Sequence, residues 1–123
     1  MEVLLAVAYN GRGWTRLELL DDVDGAISDL DEAIRLKPGD YVLPYVARSQ
    51  ARLRRGDWEG VISDCTAALK MIDWDFLRLD RARARLALGD EEGARQDLQA
   101  GGQSPSLETL RADVERRKAG LKR

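Results

Sequence analysis

Apolar and polar positions along this chain recur in matched blocks, and the blocks predict helices that come in pairs. Arg12-Gly13-Trp14-Thr15-Arg16-Leu17, Arg48-Ser49-Gln50-Ala51-Arg52-Leu53 and Arg81-Ala82-Arg83-Ala84-Arg85-Leu86 share a pattern: arginine, small residue, any residue, Ala or Thr, arginine, leucine. They start 36 and then 33 residues apart. A second block follows each one, at Gly25-Ala26-Ile27-Ser28-Asp29-Leu30, Gly60-Val61-Ile62-Ser63-Asp64-Cys65 and Gly93-Ala94-Arg95-Gln96-Asp97-Leu98, with offsets of 35 and 33 residues. Between the blocks lie Gly56-Asp57 and Gly89-Asp90. Glycine there can take the left-handed conformation that ends one helix, and aspartate can cap the next. Each unit therefore reads as helix, tight turn, helix. The first turn, Leu19-Leu20-Asp21-Asp22, has no glycine and one extra residue, and Gly101-Gly102 predict an early end to the third unit's second helix. Beyond it, Ser104-Pro105-Ser106 reads as a helix start with proline in the first turn. Leu107, Leu110, Val114 and Leu121 then recur at helical spacing among charged residues. A stack of helix pairs leaves an apolar face open at its end, so residues 105–119 are expected to form a capping helix. The pattern predicts seven helices and an all-α fold, with units over about 7–40, 41–73 and 74–104.

A helix pair repeating about every 34 residues, with small residues where the helices approach closely, resembles the tetratricopeptide repeat family. The likeness is clearest from Asp24-Gly25-Ala26-Ile27 to Ala33-Ile34-Arg35-Leu36-Lys37-Pro38 and from Gly56-Asp57-Trp58-Glu59-Gly60-Val61-Ile62 to Ala68-Leu69. Asp73 stands where the family's closing proline would fall in the second unit. The resemblance implies an α-solenoid of three such repeats plus the cap, in a single domain. It also implies a protein-interaction module, a scaffold or adaptor that binds a peptide or partner helix in a concave groove lined by the first helix of each pair. Carried over by position, that groove would show Asn10, Trp14, Leu17 and Glu18, then Leu43, Val46, Ala47, Gln50, Leu53 and Arg54, then Phe76, Leu79, Asp80, Arg83, Leu86 and Ala87. Members that grip a C-terminal carboxylate use Lys, Asn and Arg at positions that here read Asn10, Trp14, Ala47, Phe76 and Asp80. The carboxylate clamp is absent. The binding set expected from this resemblance is Asn10, Trp14, Leu43, Val46, Gln50, Leu53, Arg54, Phe76, Leu79 and Arg83.

Composition narrows the chemistry. The 123 residues fit one domain, and 44% hydrophobic content is enough to build a core. There is no histidine, which removes Ser-His and Cys-His nucleophile pairs and imidazole metal sites. No phosphate-binding glycine loop, GxSxG or HExxH motif is present. We therefore expect neither catalysis nor a cofactor or bound metal. Asp22-Val23-Asp24-Gly25 looks like the middle of a calcium loop, but the first ligand position would be Leu20, which supplies no oxygen. Cys65 is the only cysteine and stands where other units have Leu30 and Leu98, so it reads as a buried apolar residue in a cytoplasmic, reducing setting. Val3 to Ala8 is apolar but short and lacks a basic leader, so it reads as helix, with no membrane segment expected.

A net charge of −2 argues against a nucleic-acid partner. Arg12, Arg48 and Arg81 recur in step with Asp29, Asp64 and Asp97, which predicts ion pairs between paired helices. Arg54, Arg55, Arg78 and Arg83 break the period and are the candidates for contact with an acidic segment of a partner. Trp58 fills the turn's aromatic slot and reads as packing, whereas Trp14 reads as a contact residue. The alternative to peptide capture is self-association, a homodimer through the apolar N-terminal helix at Val3, Leu4, Leu5 and Val7.

Overall fold

In a computed structural model describing residues 1–102 and 105–121, every regular element is an α-helix: α1 (Glu2–Glu18), α2 (Val23–Leu36), α3 (Leu43–Arg55), α4 (Trp58–Leu69), α5 (Asp75–Ala87), α6 (Glu91–Ala100) and α7 (Leu107–Leu121). Consecutive helices pack on one another, giving an all-α, solenoid-like stack. Residue 104, the expected end of the third unit, lies outside the described residues.

The turns explain the second blocks. Asp22, Asp57 and Asp90 cap α2, α4 and α6, each accepting a hydrogen bond from the backbone N–H three residues on, at Gly25 (3.0 Å), Gly60 (3.1 Å) and Gly93 (2.9 Å). A Cβ on any of these glycines would fall 2.1–2.3 Å from the capping carboxylate, so a larger residue there would have to displace the capping side chain. Gly56 (φ 78°) and Gly89 (φ 86°) make the left-handed turn before the cap. In the first unit Asp21 (φ 49°) takes that role, which aspartate tolerates better than most residues. The extra residue there is absorbed by a wider loop, with Asp22 N–H bonded to the Arg16 carbonyl six residues back, where Asp57 and Asp90 reach five back. α6, ten residues long, is the shortest helix, as Gly101-Gly102 predict.

The core is built between units. Leu17, Ala26 and Leu30 of the first pair enclose Ala47 and Ala51 of α3. Val46 and Leu53, on other sides of α3, join Val61, Cys65, Ala68, Leu77 and Ala84. Ala82 and Ala94 meet Leu110 of α7. Alanines at the crossings allow close helix approach, and each helix pair buries its apolar side only by stacking on its neighbour.

α7 starts two residues later than expected. Ser106, not proline, is its cap: the Ser106 hydroxyl accepts from Thr109 N–H at 3.1 Å, and Pro105 precedes the cap. The helix covers the third cluster through Leu107, Leu110 and Val114, but it packs chiefly on α5 and only lightly on α6. Its far end reaches back to the second unit, where Leu121 lies against Gly56 so closely that a Cβ there would fall 2.3 Å from Cδ1. The outer flank of α6 is left beside an open cleft of about 310 Å³ lined by Arg95, Leu98, Gln99, Gly102, Pro105 and Leu107.

Candidate functional site

Two sets of polar contacts run through the stack, and they separate architecture from surface. The first is periodic. Asp29, Asp64 and Asp97 are buried, and each holds two arginines of the preceding helix. Arg12 grips Asp29 with two nitrogens, at 2.7 and 2.9 Å, and Arg16 adds a third bond at 3.0 Å. Arg48 (2.7 Å) and Arg52 (3.0 Å) do the same at Asp64, as do Arg81 and Arg85 (2.7 Å) at Asp97. The recurring arginines are thus structural, as their register with the aspartates predicts. Burial works against the charge of Arg48, but its bonds to Asp64 and Asp31 outweigh that and hold its pKa above the ordinary value. Arg48 and Arg81 also reach backwards into the preceding unit, to Asp31 (2.7 Å) and Thr66 (3.1 Å).

The second set lies on the face shared by the first helices α1, α3 and α5. Arg54 donates to the Leu17 carbonyl (2.7 Å) and to Glu18 (3.0 Å), tying α3 to α1. Gln50 donates to Asp80 (2.6 Å), tying α3 to α5. Arg83 donates to Asp80 (2.6 Å) and to Asp113 (2.8 Å), and Arg117 joins Asp113 at 3.0 Å, tying α5 to α7. Burial pushes the Asp113 carboxyl up, but Arg117 and Arg83 outweigh it and leave its pKa below the ordinary value. Arg55 pairs with Asp24, and Arg78 with Asp73 and Asp75. All four arginines outside the period are therefore engaged within the chain.

α3 is wedged between neighbours, so only a narrow arc of it is open. Leu43 and Arg54 are exposed there and Gln50 is half-buried, whereas Val46 and Leu53 are in the core beneath, with Leu17 and Ala47. Val46 and Leu53 thus lie beneath the accessible face, with 5% and 4% of their surface exposed. On α5, Phe76 is exposed and stacks on Trp74 with ring centroids 5.4 Å apart. Arg83 is half-buried, and Leu79 packs into the third cluster with Ala82 and Leu110. On α1, half-buried Trp14 packs against both the first and the second cluster. Asn10 is buried and its Oδ1 has no hydrogen-bond partner. Burial raises the pKa of the Tyr41 phenol, against the opposing influence of Asn10.

One residue of this face is missing from the sequence-derived set. Val7 is 49% exposed, Leu43 39% and Phe76 43%, and they occupy the same place in α1, α3 and α5. Val7 lies 36 residues before Leu43 and Phe76 33 after it, the offsets of the arginine blocks, so that register carries the signal for Val7. The three form an apolar row across the stack beside the polar stitches of Gln50, Arg54 and Arg83. Asp113 was not foreseeable in this way, because α7 lies outside the repeat.

Cys65 is buried, and burial first, with the charge of Asp80 next, pushes its thiol up to about 12. Asp22 of the calcium-like stretch caps α2. Among the described residues no helix is long and apolar enough to cross a membrane. The architecture defines the class of the chain, an all-α solenoid-like stack of helix pairs. No protein-family model matches the chain, and no curated protein sequence matches it.

Proposed function

We propose that this chain is a protein-interaction module of the tetratricopeptide-repeat kind, holding an extended segment of a partner protein across the face of α1, α3 and α5. The observation that carries the reading is the row of Val7, Leu43 and Phe76, three exposed apolar side chains at one register position in successive units. Packed helices stand about 10 Å apart, and a segment in the polyproline II conformation advances about 3.1 Å per residue with three residues per turn, so every third side chain returns to one face about 9 Å further on. A segment with apolar side chains at every third position would therefore match the row. The unpaired Oδ1 of Asn10, one helical turn beyond Val7, is an acceptor that a partner's N–H would satisfy if the side chain turned outward. The partner reads as apolar more than acidic, since Arg54, Arg55, Arg78 and Arg83 already hold carboxylates or carbonyls of this chain. Such a module needs no cofactor and no catalytic group, and cytoplasmic residence with Cys65 reduced belongs to the same proposal.

Selection of a displayed random-peptide library on the purified protein tests it. The expected result is enrichment of peptides with apolar residues three apart, which Leu43→Glu or Phe76→Glu weaken at least about tenfold, the loss of one buried apolar contact. Enriched peptides that bind both variants as tightly as the parent, or no enrichment, would overturn the reading.

A further inference from the structure

α1 has a second face that no other described residue covers. Ala6, Asn10, Gly13 and Leu17 are its buried positions. At 100° per residue, the side opposite them carries Leu4, Ala8, Gly11 and Thr15, flanked by Leu5 and Arg12, and all six are exposed. Leu4 is 73% exposed and Leu5 48%. A hollow of about 320 Å³ (Met1, Glu2, Leu4, Leu5, Ala8) and another of about 250 Å³ (Leu5, Ala8, Tyr9, Arg12) flank the Leu5–Ala8 ridge.

The arrangement is self-complementary in one direction only. Large side chains, Leu4 and Leu5, occupy the first half of the face, and small ones, Gly11 and Thr15, the second half. Glycine in a helix interior is unfavourable, and nothing within the protomer requires it at position 11, since a Cβ there meets no atom within 4 Å. Charge has the same polarity, with Glu2 at the start and Arg12, half exposed, further on.

We propose that the protein forms an isologous two-fold dimer in which α1 packs antiparallel on α1 of a second copy, with the axis at Ala8. Residues i and 16 − i then lie level. Leu4, on the same side of the axis as Gly11, settles over the partner's Gly11, and Glu2 comes within two residue levels, about 3 Å of helical rise, of the partner's Arg12. A parallel pair would set leucine on leucine and Glu2 on Glu2. The contact is isologous, each copy using the same patch, and so closes at two copies. Val7 borders this face, one turn from Leu4 and from Gly11, but Leu43 and Phe76 lie on other helices, so Leu43→Glu and Phe76→Glu test the row without touching the dimer contact.

The test is light scattering on the full chain with engineered cysteines as register probes. The wild type is expected to dimerise with a dissociation constant on the order of 10 μM. Leu4→Asp is expected to weaken this at least about tenfold. Gly11→Leu is expected to do the same while leaving helix content and melting temperature undiminished, which separates loss of the interface from loss of the fold. Under mild oxidation Ala8→Cys should cross-link and Thr15→Cys should not, with buried Cys65 silent in both. A wild type that stays monomeric up to about 1 mM overturns the proposal. So does a dimer indifferent to Leu4→Asp and Gly11→Leu, or cross-linking through Thr15→Cys as readily as through Ala8→Cys.

Discussion

The clamps inside the helix pairs and the stitches across the shared face use the same two residue types to different ends. Inside, Asp29, Asp64 and Asp97 each take two arginines in one geometry, three times over. On the face, each junction has its own solution: an arginine on a carbonyl between α1 and α3, an amide on a carboxylate between α3 and α5, an arginine between two aspartates at α7. A packing problem that recurs in every unit is solved the same way in every unit. A surface with a particular task, or a particular end to close, is free to vary.

The largest effect should come from the most buried clamp. Asp64→Ala would leave Arg48 and Arg52, only 16% and 22% exposed, facing a void, and should cost about 3–5 kcal/mol in denaturant unfolding. Asp29→Ala makes the comparison quantitative. Arg12 is 56% exposed and can turn to water, so the loss should be nearer about 1.5–3 kcal/mol. Equal losses at the two sites would show that solvent access to the arginines does not set the strength of a clamp. A stitch should matter less, because its partners have others: in Gln50→Ala, Asp80 keeps Arg83, and the expected cost is about 1 kcal/mol.

The smallest effect concerns Asp113. Its folded pKa is depressed, so its contribution is fully present above the unfolded value of about 3.9 and is lost as pH falls through the lower folded value. Below about pH 4, amide exchange in α7 should quicken before that in α3 and α4, and Asp113→Asn should abolish this difference.

The periodic half of the molecule was readable from the sequence for a physical reason. Capping aspartate, the glycine three residues on, and the paired arginine and aspartate are each fixed by local geometry that every unit repeats. What escaped was set by neighbours. The family resemblance implied a broad groove stripe on α3 including Val46 and Leu53, but a helix packed on several sides leaves Leu43, Gln50 and Arg54 as the open arc of that stripe. Arg54, Arg55, Arg78 and Arg83 looked free because they fall outside the period, yet carboxylates and a carbonyl of neighbouring helices and turns lie within their reach. The lean of α7 onto α5, and the reach of Leu121 to Gly56, left no trace in any repeat.

The backward reach of Arg48 and Arg81 bears on how the stack melts. Each guanidinium grips its own unit and its predecessor at once, so a pair that opens exposes polar groups on both sides of the junction, and the units are coupled in a single transition. The coupling is graded along the chain. Between the first and second units the arginine meets the carboxylate of Asp31, and between the second and third it meets only the hydroxyl of Thr66. On this one bond the second junction is the weaker, and it sets a direction for fraying: inward from the third unit, toward the clamp at Asp64.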